Sequence, residues 1–161
     1  MRLGILSDIH DNIWALGTAL GLLKDCDALL CLGDICSPFT MVSIGEGFEG
    51  PIHVVWGNND GDRLHAAHSV ERLGRVTFHG ELGELELGGQ RVAITHWPDI
   101  GQALARGGTY DLVCHGHNHR RSVASFERTT ILNPGEVMGR FGERSVAEYD
   151  TSTRAANLLL F

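Results

Sequence analysis

The sequence predicts an α/β domain, with a parallel sheet in its first half and more antiparallel pairing in its second half. In the first half, short apolar runs over 2–7, 28–33 and 52–57 alternate with helix-like stretches. This rhythm is typical of right-handed βαβ crossovers, which build parallel sheets. In the second half, the segment ELELGGQRVAIT (84–95) alternates charged and apolar residues around a Gly-Gly pair. That alternation indicates a half-exposed hairpin.

The remaining elements follow from local patterns. The first helix, predicted over 11–24, carries apolar residues at the spacing of one helix face, and polar residues that can cap it come first. The apolar residues are Ile13, Leu16, Leu20 and Leu23, and the candidate caps are Asp11 and Asn12. A second helix is predicted over 99–106. Further strands are predicted over 110–116, 122–132, 145–150 and 155–161.

Composition limits the classes of function. The 161 residues fit a single domain over 1–161. The net charge is −7 and no run of Lys or Arg stands out, so binding to a nucleic-acid duplex or to a membrane surface is not expected. No signal peptide and no membrane-spanning run is visible, and we expect a cytoplasmic protein. The four cysteines form no CxxC pair, so small buried side chains in a reducing compartment are expected.

Five apolar runs each end on a side chain that can bind a metal ion. In open α/β sheets, ligands bind beyond the carboxyl ends of the strands, so these side chains are expected to meet there. Two of the pairs have i, i+2 spacing, which in extended chain projects both side chains to one side. The seven predicted ligands are Asp8, His10, Asp34, Asn58, His96, His117 and His119. Three glycines directly precede a predicted ligand, where space or an unusual φ is needed: Gly33, Gly57 and Gly116.

Seven oxygen and nitrogen ligands are too many for one tetrahedral zinc ion. They suit two cations of higher coordination number that share one carboxylate, and Asp34, on a central strand, is the expected bridge. Imidazole, carboxylate and amide donors without thiolate favour Mn²⁺, Fe, Zn²⁺ or Ni²⁺ over Ca²⁺. A pair of such cations is the usual arrangement for hydrolysis of phosphate esters.

The chain resembles the calcineurin-like metallophosphoesterases, and most closely their small single-domain YfcE-type phosphodiesterase branch. The motifs that carry the resemblance are SDIHDN (7–12), LGD (32–34), GNND (57–60), THW (95–97), GHNH (116–119) and NPG (133–135). The resemblance implies a four-layer α/β/β/α sandwich of two mixed β-sheets flanked by helices. It also implies a phosphodiesterase in which a hydroxide bound to two metal ions attacks a small phosphodiester. The oligomeric state is left open, a homo-oligomer included.

The resemblance assigns roles position by position. One cation takes Asp8, His10, Asp34 and His119, and the other takes Asp34, Asn58, His96 and His117. Of these, Asn58 and His96 are expected to be catalytic as well, while Asn12 and Asn59 are expected to contact the substrate. For Asn12, a helix cap is an equally good interpretation. Mn²⁺ is the favoured metal, with Ni²⁺, Fe, Zn²⁺ and Mg²⁺ as alternatives.

The sequence departs from the family pattern at several positions. Asn59 stands where many larger relatives carry a histidine that is thought to protonate the leaving group, so the general acid is open. Glu136 replaces a common serine, Asp11 replaces a glycine, and two arginines follow GHNH. Two other functions compete with the phosphodiesterase: a catalytically silent scaffold, like the retromer subunit of this fold, and a protein phosphatase. Retention of all seven ligands favours the enzyme, and the short chain disfavours the phosphatase.

Overall fold

The computed structural model describes all residues, 1–161, and contains eleven strands and four α-helices. The strands are β1 Arg2–Leu6, β2 Ala28–Cys31, β3 Ile52–Val54, β4 Val76–Phe78, β5 Leu82–Leu87, β6 Gln90–Thr95, β7 Leu112–Cys114, β8 Ser122–Phe126, β9 Thr129–Asn133, β10 Ser145–Asp150 and β11 Ala156–Leu160. The helices are α1 Ile13–Leu23, α2 Pro38–Gly47, α3 Arg63–Val70 and α4 Pro98–Arg106. No helix has both the length and the apolar character that crossing a membrane requires.

The strands form two mixed sheets. The first has the order β11-β10-β1-β2-β3-β4, and the second has the order β5-β6-β7-β9-β8. In the first sheet β1 to β4 are parallel, while β10 and β11 add antiparallel pairs at one side. In the second sheet β6, β7 and β9 are parallel to one another, with an antiparallel strand at each edge. The second half therefore contains a parallel centre that its alternating sequence pattern did not indicate.

Three apolar clusters separate the layers. The largest lies between the first sheet and helices α1 to α3, the second lies between the two sheets, and the smallest lies under α4. Strand β2 shows the arrangement: Leu29 and Cys31 face the helices, while Leu30 faces the other sheet. Because both faces are covered, the central strands read as continuous apolar runs. The predicted four-layer α/β/β/α sandwich is confirmed.

Three local predictions were incomplete. Helix α2 was not predicted because its sequence mixes glycine with β-branched residues; it begins at Pro38, whose missing N–H suits that position. The Asp11 carboxylate accepts hydrogen bonds from the Ser37 N–H and the Thr40 hydroxyl at this end, which explains the acidic residue there. Strand β4 was missed because it is only partly buried, with an exposed Thr77 at its centre, and so lacks a continuous apolar run. The predicted strand 122–132 is instead the hairpin β8–β9.

The cysteines are all free, as expected. Cys26, Cys31 and Cys114 are buried, and burial raises the pKa of the Cys26 thiol to about 12. Cys36 is half-buried, with its sulfur 3.7 Å from Nδ1 of His10. None of the four cysteines pairs with another, so they pack as small thiol side chains.

Candidate metal centre

The carboxyl ends of strands from both sheets meet at one cleft. Strands β1, β2 and β3 of the first sheet lead into it, and so do β6 and β7 of the second. The polar side chains that follow these strands come together in two groups, and the structure brings all seven predicted ligands into contact. They are Asp8, His10, Asp34, Asn58, His96, His117 and His119.

The first group consists of Asp8, His10 and His119, whose ligand atoms all lie within 4.8 Å of one another. Oδ1 of Asp8 is 3.4 Å from Nε2 of His119 and 4.0 Å from Nε2 of His10. The two imidazole rings are stacked, with their centroids 5.3 Å apart. A carboxylate oxygen and two ring nitrogens therefore point at one small volume.

The second group consists of Asp34, His96 and His117, and Asn58 joins it. Nε2 of His96 is 3.2 Å from Oδ1 of Asn58, 3.2 Å from Nδ1 of His117 and 3.5 Å from Oδ2 of Asp34. Carboxylate, amide and imidazole donors around one point are suitable for a borderline divalent cation.

Asp34 lies between the two groups. Its Oδ2 is 3.4 Å from Nε2 of His10 in the first group and 3.5 Å from Nε2 of His96 in the second. The backbone N–H and the side-chain amide of Asn59 each donate to this carboxylate at 2.8 Å. Burial on its own would raise the pKa of Asp34, but the contacts with His96 and Asn59 outweigh burial and lower it. The carboxylate is thus held ionised, with a fixed orientation, where both groups can use it.

One feature of the structure, independent of any family resemblance, indicates that these side chains suit a bound cation. Two buried side-chain polar atoms in the whole chain lack a hydrogen-bond partner, and they are Oδ1 of Asp8 and Nε2 of His10. Buried polar groups in folded proteins are nearly always paired, because an unpaired one carries the full cost of desolvation. Burial also raises the pKa of the Asp8 carboxyl. Both unpaired atoms belong to the first group, and a divalent cation coordinated there would satisfy them.

In two of the histidines, a contact at Nδ1 leaves Nε2 as the nitrogen that faces the ligand group. Nδ1 of His96 is 2.7 Å from the Leu32 carbonyl oxygen, which can only accept, so Nδ1 carries the proton and Nε2 faces the ligand group. Nδ1 of His119 is 2.8 Å from Oε2 of the fully buried Glu136, and its Nε2 faces Asp8. Metal-binding histidines commonly donate their other N–H to a carbonyl or a carboxylate in this way. The pKa of His96 would fall on burial, but Asp34 raises it overall.

The backbone at the ligands has an uncommon conformation. Five of the seven predicted ligands have φ in the left-handed region, between +46° and +72°. Residues other than glycine rarely adopt this conformation, and when they do they cluster at functional sites. The five are Asp8, His10, Asp34, His117 and His119.

The three glycines that precede predicted ligands are needed mainly because a side chain would not fit there, and only one of them has an unusual φ. Only Gly33 of the three has positive φ, at +90°. A Cβ at Gly57 would collide with the Asp34 carboxylate, and one at Gly116 would collide with the Ser7 hydroxyl. Close approach of neighbouring strand ends therefore explains two of these glycines.

Asp60 holds the loops that carry the ligands, a role that the sequence reasoning did not find. Its carboxylate accepts hydrogen bonds from four backbone N–H groups at 2.6 to 3.1 Å. These groups belong to Asp34, Ile35, Cys36 and Gly57, so one side chain joins the loop after β2 to the loop after β3. Its place as the last residue of GNND was the only signal in the sequence.

The two predicted substrate contacts occupy different places. Asn59 lines the cleft beside Asp34. Asn12 does not line it: Oδ1 accepts from the Ala15 N–H at 3.1 Å, and Nδ2 donates to the Met138 carbonyl at 3.0 Å. Asn12 therefore caps α1 and ties a distant segment to it, and its contact with substrate stays a prediction.

The cleft has a volume of about 440 Å³ and a wall that the sequence reasoning missed. Besides ligands and Asn59, it is lined by three residues of one segment, Met138, Arg140 and Phe141. The arginines after GHNH lie outside this lining, and Arg121 pairs with Glu143 at 2.9 Å. No signal in the sequence singled out this segment, because nothing in its pattern relates it to the strand ends.

The chain is similar to known phosphoesterases in sequence and in fold. A sequence profile of the calcineurin-like phosphoesterase superfamily domain matches residues 1–154. Phosphodiesterase MJ0936 of Methanocaldococcus jannaschii is 27% identical over 143 residues, which are 86% of each chain. An archaeal phosphodiesterase has a structure that matches over 100% of both chains, with a TM-score of 0.93 and 24% identity.

Two further structures share the fold at lower similarity. The phosphoesterase Yfce of E. coli matches with a TM-score of 0.69 and 18% identity, over 99% of this chain and 98% of that one. Zinc-bound Vps29 of Entamoeba histolytica matches with a TM-score of 0.66 and 16% identity, over 100% and 98%. At these identities the structures support the fold alone. The profile match covers nearly the whole chain, and together with this fold it shows that the chain belongs to the calcineurin-like phosphoesterase superfamily.

Proposed function

We propose that this protein is a phosphodiesterase that uses two divalent cations to hydrolyse small phosphodiesters. The observation that carries the proposal is the position of Asp34, whose one oxygen lies within 3.5 Å of a nitrogen from each ligand group. A carboxylate placed in this way can bridge two cations. The phosphodiesterase relative adds support from sequence.

The proposed ligand sets divide at this carboxylate. One set is Asp8, His10, Asp34 and His119, and the other is Asp34, Asn58, His96 and His117. Their oxygen and imidazole donors favour Mn²⁺, with Ni²⁺, Fe, Zn²⁺ and Mg²⁺ as alternatives. When bound, such a pair supplies positive charge to the phosphoryl oxygens and lowers the pKa of a water that can attack at neutral pH.

The protein itself holds the proposed ligands in a fixed orientation. The Leu32 carbonyl fixes the tautomer of His96, and Asn59 fixes the carboxylate of Asp34. We propose catalytic roles for Asn58 and His96, whose Oδ1 and Nε2 atoms lie 3.2 Å apart in the second group. Asn59 lines the cleft and is proposed to contact the substrate.

The leaving group obtains little help from a general acid. Asn59 carries no acidic proton, and the Asp60 carboxylate already accepts four backbone N–H groups. General acid catalysis typically contributes about 10²- to 10⁴-fold. The proposed enzyme should therefore prefer diesters whose leaving group departs as a stable anion, such as nitrophenolate.

The test is hydrolysis of bis(p-nitrophenyl) phosphate by protein stripped with a chelator and then supplied with each of the five metals in turn. We expect turnover only after metal is added, and most with Mn²⁺. His117→Gln should lose activity, whereas His65→Gln, which changes an exposed histidine on α3, should keep it. Full turnover by protein that elemental analysis shows to be metal-free would overturn the mechanism. Absence of hydrolysis with every metal would favour the alternative function, a catalytically silent scaffold.

A further inference from the structure

One wall of the cleft, the segment Met138–Phe141, has no part in holding the proposed metal ions. It is anchored at three points: the Met138 N–H donates to the Asp8 carbonyl at 2.9 Å, and the Met138 carbonyl accepts from Nδ2 of Asn12 at 3.0 Å. The Phe141 N–H donates to Oε1 of the buried Glu136 at 2.7 Å. The wall is therefore held in a fixed place relative to the ligands.

Arg140 is the only lysine or arginine that lines the cleft. Its guanidinium forms no ion pair and no hydrogen bond with the rest of the chain. Other arginines, such as Arg121 and Arg154, reach carboxylates at 2.8 to 2.9 Å. A free guanidinium beside a phosphoester site is well suited to a second anionic group, because its planar donors match phosphate and carboxylate.

Phe141 provides a flat apolar surface next to that cation. Its side chain is 67% exposed, an uncommon exposure for phenylalanine, and the Arg140 guanidinium lies 5.2 Å from its ring centroid. The ring also meets His119 edge-on, with centroids 5.0 Å apart. An aromatic face this close to a proposed ligand can stack against a ring of the substrate.

We propose that Arg140 and Phe141 form a subsite for the part of the substrate that is retained after cleavage, and that this part carries an aromatic ring and a second anionic group. A nucleoside with a second phosphate has this chemistry. The inference rests on the proposed phosphodiesterase function and deepens it by naming the substrate class. Since the two proposed cations would bind the reacting phosphate, the free Arg140 guanidinium is left for a different anion.

The test compares three diesters with the same leaving group: methyl p-nitrophenyl phosphate, thymidine 5′-(p-nitrophenyl phosphate), and the latter with a 3′-phosphate. Wild-type protein with Mn²⁺ should prefer the 3′-phosphorylated ester. Arg140→Gln should lower kcat/KM for that ester about tenfold, as loss of a charge-assisted contact implies, and leave the other two within about twofold. Phe141→Leu should raise KM for both thymidine esters about fivefold or more and spare the methyl ester.

A matched control removes an equivalent contact elsewhere. The Arg106 guanidinium lies 5.4 Å from the Phe126 ring centroid, outside the cleft, so Arg106→Gln should change none of the three rates. Calorimetry gives a readout without turnover: thymidine 3′,5′-bisphosphate should bind about tenfold more weakly to Arg140→Gln than to wild type.

Three outcomes would overturn the subsite. Equal loss of all three rates in Arg140→Gln would place the guanidinium on the reacting phosphate instead. Unchanged rates in both cleft variants would mean that the wall does not select substrates. Absence of turnover of every diester by wild type with metal would instead overturn the proposed function, and the subsite with it.

Discussion

The two ligand groups differ in how their atoms are satisfied within the protein. In the second group, the facing atoms of Asp34, His96 and His117 already lie within 3.5 Å of one another or of Asn58, as a nearly complete polar network. In the first group, Oδ1 of Asp8 and Nε2 of His10 form no hydrogen bond, although each lies 3.4 Å from a neighbouring polar atom, Nε2 of His119 and Oδ2 of Asp34 respectively. The second group is therefore linked by its own hydrogen bonds, whereas the first group contains two buried polar atoms without one.

This difference indicates two kinds of coupling to a cation. A cation in the first group would relieve the desolvation of unpaired atoms, and so should add most to folding stability. A cation in the second group would compete with a proton, because Asp34 raises the pKa of His96. Binding of a cation to the first group should therefore change mainly the folding stability, whereas binding to the second group should depend mainly on pH.

The shared carboxylate should give the largest effect. Asp34→Ala removes a ligand from both groups, so we expect activity to fall by more than about a thousandfold, beyond the 10- to 100-fold of a supporting residue. Elemental analysis should find at most one metal ion per chain, whereas His119→Ala should keep one. Turnover near that of wild type in Asp34→Ala at saturating Mn²⁺ would show that the two groups do not share it.

Removing metal should lower thermal stability. Occupancy at 100 times the dissociation constant stabilises a protein by about 2.7 kcal/mol, which corresponds to about 5 to 10 °C in Tm for a chain of this size. Circular dichroism with and without chelator measures the shift. Asp8→Asn should abolish most of it and, in chelator, should be at least as stable as wild type, since burial of the carboxylate is unfavourable. A chelator-insensitive Tm in wild type would contradict the contrast between the groups.

The support of His119 by Glu136 can be tested within the first group. Glu136→Gln keeps the shape but weakens the contact that directs Nε2 of His119 towards Asp8, so affinity for the first cation should fall about 10- to 100-fold. Titration calorimetry with Mn²⁺ should show the second cation unaffected. Glu143→Gln, at an exposed glutamate paired with Arg121, is the matched control. Equal weakening of both cations would mean a general loss of structure.

The last prediction concerns how the affinity of the second group for Mn²⁺ depends on pH. Because the pKa of His96 is raised, its ring stays protonated to a higher pH than a free histidine, and metal binding must displace that proton. Affinity of the second group for Mn²⁺ should therefore weaken as pH falls, by about tenfold for each pH unit below the pKa of His96. Calorimetry in two buffers of different ionisation enthalpy should detect proton release at pH 6. Equal affinity at pH 6 and pH 8 without proton release would remove the distinction between the groups.

The sequence predicted well which side chains meet in the cleft, because their signals are local. Each ligand follows an apolar run within a few residues, and the pairs at positions 8 and 10 and at 117 and 119 lie on the same loops. The residues that support them could not be found in this way. Glu136 lies 17 residues from His119, and Asp60 lies 25 residues from Ile35. Such contacts exist only once the strand order is known.

The errors in secondary structure have a related cause. The turn between β8 and β9 contains no glycine, proline, asparagine or aspartate, and Glu127 adopts positive φ there, so the sequence carries no turn signal. Helix α2 lacks a clear apolar face in its sequence, and is fixed by its contacts with Asp11 and by the packing of Met41 and Ile44. In both places tertiary contacts decide what local preference leaves open.

Five of the predicted ligands have a left-handed backbone conformation, so the same positions that are proposed to serve activity lower the folding stability. For any residue other than glycine this conformation costs about 1 kcal/mol or more, so glycine at Asp8 or His117 would relieve the backbone while deleting a ligand. A laboratory library selected only for resistance to heat could therefore accept such changes and lose activity while keeping the fold. The backbone cost at these five positions is thus the cost of placing their side chains in the cleft.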